Sequence, residues 1–197
     1  MDWEYQYQIE ETPWDKGEAA PPLVEFLDKK KLTGHVLIPG CGKGHDVRLI
    51  AAKGSETGTH ASGMDLSSTA LELARKKTEE DQTPGFIDFI EGDFLNPPKH
   101  LEARFDWIFE HTLFCAIEPS LRPDYVRMAD RLLKPRGKIL AIFYMTPEHD
   151  EGPPFPSTSN ELDVLFSSHF SILEEWVPGR AYEGREGHES MRILEKL

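Results

Sequence analysis

Cysteine is almost absent: the 197-residue chain carries two, Cys41 and Cys115. Two thiols build no disulfide framework, and a reducing cytoplasmic setting is the expected one. Long hydrophobic runs are also missing. No apolar stretch approaches the ~20 residues needed to span a bilayer. The opening Met1-Asp2-Trp3-Glu4 has neither the basic start nor the apolar stretch of a signal peptide, so no membrane partner is expected. Positive charge is scarce as well, with 22 Lys and Arg against 35 Asp and Glu and a formal net charge of −13. Phosphate neutralisation needs clustered cations. The longest basic run, Lys29-Lys30-Lys31, falls at an expected helix end, where cations complement the helix dipole. The balance argues against a nucleic-acid partner, and the long-range field disfavours a polyanionic substrate. A small-molecule ligand is the better expectation.

What is present is a globular composition, 39% hydrophobic and 29% charged, in a length that suits one domain over residues 1–197. Short β-type runs alternate with amphipathic stretches, the pattern of an α/β fold with a mostly parallel sheet and helices on both faces. Residues 1–18 are aromatic and acidic and read as an N-terminal arm. A helix is expected over 19–31, with Pro21 and Pro22 tolerated in its first turn. The β-type runs are 35–38, a run ending at 63–65, 86–90, 105–109 and 138–144. Helices follow the glycines to about Lys53, follow Ser67 as N-cap, and fall near 123–133. The segment 146–160 is long for a loop inside a compact domain; with His149-Asp150 beside Gly152-Pro153-Pro154-Phe155 it reads as a lid over the acceptor or as a solvated loop. A short helix (161–166) and β-type runs near 170–177 and 190–194 would close the sheet edge as an antiparallel hairpin.

The first run leads into Pro39-Gly40-Cys41-Gly42-Lys43-Gly44-His45-Asp46. Glycines at such a turn let backbone approach a ligand and present N–H groups near a helix N-terminus. A dinucleotide fingerprint would require glycine where His45 stands, which disfavours a nicotinamide enzyme. The remaining Gly40, Gly42, Gly44 pattern resembles the first motif of S-adenosylmethionine methyltransferases. Asp65, at the end of the second run, stands where an acid holds ribose hydroxyls. After the third run, Asp93 is placed to accept from an adenine amine and Phe94 to pack on the ring, with a turn Asp and a core Phe as the ordinary alternatives. One departure is the position two before Gly40, commonly an acid, which is Ile38.

The stretches Thr12 to Gly17 (TPWDKG), Val36 to Asp46, Phe105 to Pro119 (FDWIFEHTLFCAIEP) and Gly152-Pro153-Pro154 resemble the thiopurine S-methyltransferase superfamily, most closely its plant and fungal halide/thiol methyltransferases. The resemblance implies a Rossmann-like class I methyltransferase with a seven-stranded sheet, one strand antiparallel. The cofactor would be S-adenosyl-L-methionine, the product S-adenosyl-L-homocysteine, and no metal is implied. N-terminal aromatics close over the cofactor in that family; Trp3 and Trp14 match, and Tyr7 takes the intervening place. Family cofactor contacts fall on Gly40, Asp65, Asp93, Phe94 and His111.

The acceptor implied is a small thiol, bisulfide or halide. The last two are already anionic and need no strong base. Tyr7, Trp14, Phe114 and Phe155 are candidate walls of a pocket that strips hydration, and each equally suits the plain core. A neutral thiol needs a base, for which His111 is the candidate; its alternative role is to line the cofactor site. Glu110 reads as local structure, Cys41 and Cys115 as packed side chains. His35, His45, His60, His100, His149, His169 and His188 show no metal-ligand spacing. The rival readings are a non-catalytic S-adenosylmethionine-binding module and a methyltransferase for another small acceptor.

Overall fold

The computed structural model describes residues 1–147 and 151–197; His149 and Asp150 lie outside them. Seven strands build one sheet: β1 (His35–Pro39), β2 (His60–Asp65), β3 (Phe86–Glu91), β4 (Phe105–His111), β5 (Leu133–Tyr144), β6 (Phe170–Trp176) and β7 (Glu189–Lys196). Their order is β3-β2-β1-β4-β5-β7-β6. The pairs from β3 through β5 are parallel, and β7 runs antiparallel to both its neighbours. The sheet is therefore mostly parallel with one antiparallel strand. Among the described residues six α-helices accompany it: α1 (Trp3–Gln8), α2 (Pro21–Lys29), α3 (His45–Gly54), α4 (Ser68–Glu80), α5 (Arg122–Leu132) and α6 (Ser159–Phe166).

The apolar run of β1 is continuous because both faces of the sheet are covered there. Val36 and Ile38 join Leu23 and Phe26 of α2 and Val47 and Ile50 of α3 in one core. Leu37 faces the other core, with Tyr125, Val126 and Ala129 of α5 and Phe166 of α6. Pro21 and Pro22 occupy the first turn of α2, and the Ser67 hydroxyl caps α4 by accepting from Ala70 N.

Three local features differ from expectation. The N-terminal arm contains a helix, α1, nucleated by the Asp2 carboxylate accepting from Tyr5 N. β4 continues to His111, so that residue ends the strand instead of following it. β5 starts at Leu133: Phe105 pairs with Leu133, the register then shifts, and Trp107 pairs with Lys138. Arg136, at φ 63°, lies in the intervening kink. Between β3 and β4 the chain makes only a 3-10 turn, Lys99–Leu101.

Candidate active site

In this strand order the crossovers leave β1 and β4 in opposite directions, which opens a crevice at their carboxyl ends. A cavity of about 510 Å3 lies there, lined by the glycine loop, the ends of β1, β2, β4 and β5, the N-terminal arm and the β6–β7 connection. That volume is within the 300–1,000 Å3 typical of small-molecule sites.

Gly40 and Gly42 form the floor at φ 63° and 51°, left-handed values that other residues adopt at a cost. A Cβ on Gly40 would meet the Leu113 side chain at 3.2 Å, and one on Gly42 would meet the Tyr7 hydroxyl at 2.6 Å. The loop is braced from behind by Arg48, which donates to Lys43 O at 2.7 Å and contacts His45 Nδ1 at 3.0 Å. Gly44 plays a different part from the other two. It sits at the N-cap of α3, packed against Phe89 and Ala74, and does not line the cavity.

Asp65 lines the cavity and is buried. Its carboxylate accepts from Gly42 N at 2.8 Å and Ser67 N at 2.9 Å, and burial raises its pKa above the ordinary value. Phe94 is on the wall, backed by Tyr125 at a ring distance of 4.8 Å. Asp93 is not: its carboxylate accepts from Leu95 N at 2.8 Å and shapes the turn after β3. Short polar side chains in turns commonly satisfy neighbouring backbone in this way.

The arm closes one side. Glu4 of α1 reaches the start of α4, where the Ser67 and Thr69 hydroxyls each donate to it at 2.6 Å. Those bonds lower its pKa to about 2. Trp3 packs edge-on against Trp14 at 5.1 Å, and Trp14 Nε1 donates to the Tyr7 hydroxyl at 3.1 Å. Asp15 clamps this aromatic group to the glycine loop through Lys43 at 2.7 Å and His45 at 3.0 Å. The His45 bond is the largest cause of its lowered pKa.

The wall also carries His111, Tyr144, Tyr182 and Arg185. His111 Nδ1 is 2.9 Å from Asp46 Oδ2, and Asp46 Oδ1 accepts from Ala20 N. His111 Nε2 is buried with no hydrogen-bond partner among the described residues. Arg185 lies over the Tyr144 ring at 4.5 Å and 3.5 Å from the buried Glu189. Asp46 also places a carboxylate in the cavity wall, although the usual acid position holds Ile38.

Two expected wall residues are elsewhere. Phe114 is buried in the core among Tyr125, Phe143 and Phe166, because the left-handed turn at Thr112 directs the chain inward and Glu110 holds Phe114 N at 2.7 Å. Phe155 packs over Gly152 while its N–H bonds Cys115 O; neither residue lines the cavity. Glu110 is fully buried, accepts from Tyr125 Oη at 2.6 Å, and has its pKa pushed up to about 7 by burial. Cys41 and Cys115 are free thiols, and burial raises the pKa of both. Sequence reasoning missed Asp46, Tyr144, Tyr182 and Arg185. Asp46 alone carried a signal, as an acid in the first turn after the glycines; the others come from segments without a motif.

A glycine floor, a buried carboxylate at the end of β2 and an aromatic-walled cavity on this sheet define an S-adenosylmethionine-dependent methyltransferase. The model of the thiopurine S-methyltransferase family matches residues 1–191, and the chain belongs to that family. It is 34% identical over 198 residues to thiocyanate methyltransferase 1 of Brassica oleracea, covering 99% of this chain and 84% of that protein. It is 33% identical over 173 residues to a probable thiol methyltransferase 2 of Arabidopsis thaliana, covering 87% and 74%. Among solved structures, the Burkholderia thailandensis 1,6-didemethyltoxoflavin-N1-methyltransferase with bound 1,6-didemethyltoxoflavin and S-adenosylhomocysteine superposes with a TM-score of 0.73 at 18% identity. The match covers 99% of this chain and 85% of that one, and it shows the shared fold.

Proposed function

We propose that this enzyme methylates a small sulfur nucleophile or halide, with thiocyanate, bisulfide and simple thiols as the leading acceptors. The names of its plant relatives support the acceptor class. The observation that carries it is the wall where a cation, Arg185, and the His111 imidazole held by Asp46 line one cavity.

The residues present fit the cofactor. The loop at Gly40 and Gly42 offers close backbone approach, Asp65 offers carboxylate oxygens to ribose hydroxyls, and Phe94 offers an apolar face to the adenine. When bound, S-adenosylmethionine supplies a methyl group on a sulfonium, open to in-line displacement. Trp3, Tyr7 and Trp14 exclude water from above the loop, which strengthens electrostatic interactions inside. Pro147, Glu151, Pro153 and Pro154 reach the cavity and act as a lid on the acceptor side.

Arg185 draws an anionic acceptor into the cavity despite the acidic surface and orients it. For a neutral thiol, Asp46 holds the proton on His111 Nδ1, and Nε2, buried in this structure, would accept the thiol proton once the side chains over it move aside. Methyl halides would form at the same wall without use of His111. The shielded, unpaired Cys41 and Cys115 suit a cytoplasmic enzyme.

The test is turnover of labelled cofactor with thiocyanate, bisulfide, iodide and an aryl thiol. Methylated product from at least one, with KM raised in Arg185→Gln for the anionic acceptors, is expected. No product from all four would overturn the reading.

A further inference from the structure

The sheet assembles a second cluster of chemistry at its other end. His35 opens β1 and His60 opens β2, and the two are direct cross-strand partners. Asp88, in β3, lies opposite Ser62 of β2. Residues 35, 60 and 88 thus lie on three adjacent strands. The two imidazoles stack at 4.3 Å between centroids and 10° between planes. One ligand atom from each of His35, His60 and Asp88 lies within 4.8 Å of the other two.

We propose that His35, His60 and Asp88 bind a borderline divalent transition-metal ion, with zinc as the reference ion. Two imidazoles and one carboxylate are a donor set suited to such ions. Zinc at about 2.0–2.1 Å from each ligand requires ligand atoms about 3.3 Å apart with converging in-plane lone pairs, so binding would turn one imidazole out of the stack. Asp88 Oδ1 is buried and makes no hydrogen bond among the described residues. Its nearest imidazole nitrogen is His60 Nε2 at 3.4 Å.

The surroundings favour ligation. Ser62 Oγ lies 2.6 Å from His35 Nε2 and holds that ring in place. The neighbouring Lys134 is engaged by both oxygens of Asp106 at 2.9 and 2.8 Å. His60 and Asp88 side chains are 36% and 40% exposed, which leaves an entry path and room for water ligands. No α-helix lies between β3 and β4 to cover this region. A bound ion would tie three strands together there, away from the methyl-transfer cavity.

Untagged, chelator-stripped protein titrated with zinc by calorimetry should bind one equivalent. Cobalt(II) should give visible d–d bands that zinc displaces, and zinc should raise the melting temperature. His60→Gln and Asp88→Asn should each weaken binding by more than the roughly 10–100-fold that loss of an outer partner costs, and should abolish the melting shift. Should either variant fail to fold, imidazole NMR of the wild type reads the same question, through zinc-dependent shifts at His35 and His60. Absence of one-to-one binding by the wild type would overturn the proposal. So would undiminished binding in a folded His35→Gln/His60→Gln protein, or zinc addition that leaves both imidazole signals unmoved.

Discussion

The Tyr7 hydroxyl stands 2.6 Å from where a Cβ on Gly42 would be, while it accepts the Trp14 indole N–H at 3.1 Å. The aromatic arm therefore packs directly on the glycine loop at Gly42. The arm is positioned by the loop's lack of a side chain and by Glu4 and Asp15 at its two ends.

Gly42→Ala should separate these layers. At φ 51° an alanine costs about 1–2 kcal/mol of stability, and its methyl displaces Tyr7. The expected result is a modest fall in melting temperature, a shift in tryptophan fluorescence and a cofactor KM raised by more than stability alone explains. Unchanged fluorescence and KM would show that the arm is not seated on the loop.

Asp65→Asn keeps one oxygen for the loop N–H groups and removes the charge. If Asp65 holds the ribose, cofactor affinity should fall by about 1–3 kcal/mol, roughly five- to 150-fold in Kd. Calorimetry with S-adenosylhomocysteine checks this. Equal affinity would place the ribose elsewhere.

His111→Phe separates two roles. As base for a neutral thiol, His111 should contribute about 10²–10⁴-fold in kcat for that acceptor and little for iodide. A uniform loss across acceptors, carried by cofactor KM, would assign it to lining the cofactor site. Asp46→Asn should follow the same acceptor dependence, since Asp46 acts through His111.

Glu110 links stability to pH. Its folded pKa, about 7, lies above the ordinary 4.5. The associated stability is fully present below about pH 4.5 and is lost as pH rises through about 7. Glu110→Gln retains an acceptor for Phe114 N and a partner for Tyr125 Oη. Melting curves from pH 5 to 8 should show a decline in the wild type that is flatter in this variant. Identical slopes would show that Glu110 is charged throughout that range.

Much of the scaffold was legible because it rests on local rules. The glycine turn, the Ser67 cap, the prolines at the start of α2 and the continuous apolar run of β1 each act within a few residues. Asp65 and Phe94 were legible for a related reason, since a strand's end fixes which crevice its next residues face. Asp93 and Phe114 belong to the same short segments but point elsewhere. A hydrogen bond to Leu95 N and a buried Glu110 decide their directions, and neither is visible in residue spacing.

By itself the sequence determined the order of elements, the glycine loop and the kind of ligand that loop accepts, since backbone geometry and hydrophobic period are properties of neighbouring residues. Only the tertiary structure decided which distant groups meet. Pairing Asp46 with His111, bringing Arg185 to the cavity wall and aligning His35, His60 and Asp88 depend on strand order and register. Those are set by how two apolar cores close over one sheet, a collective result that no short stretch of the chain contains.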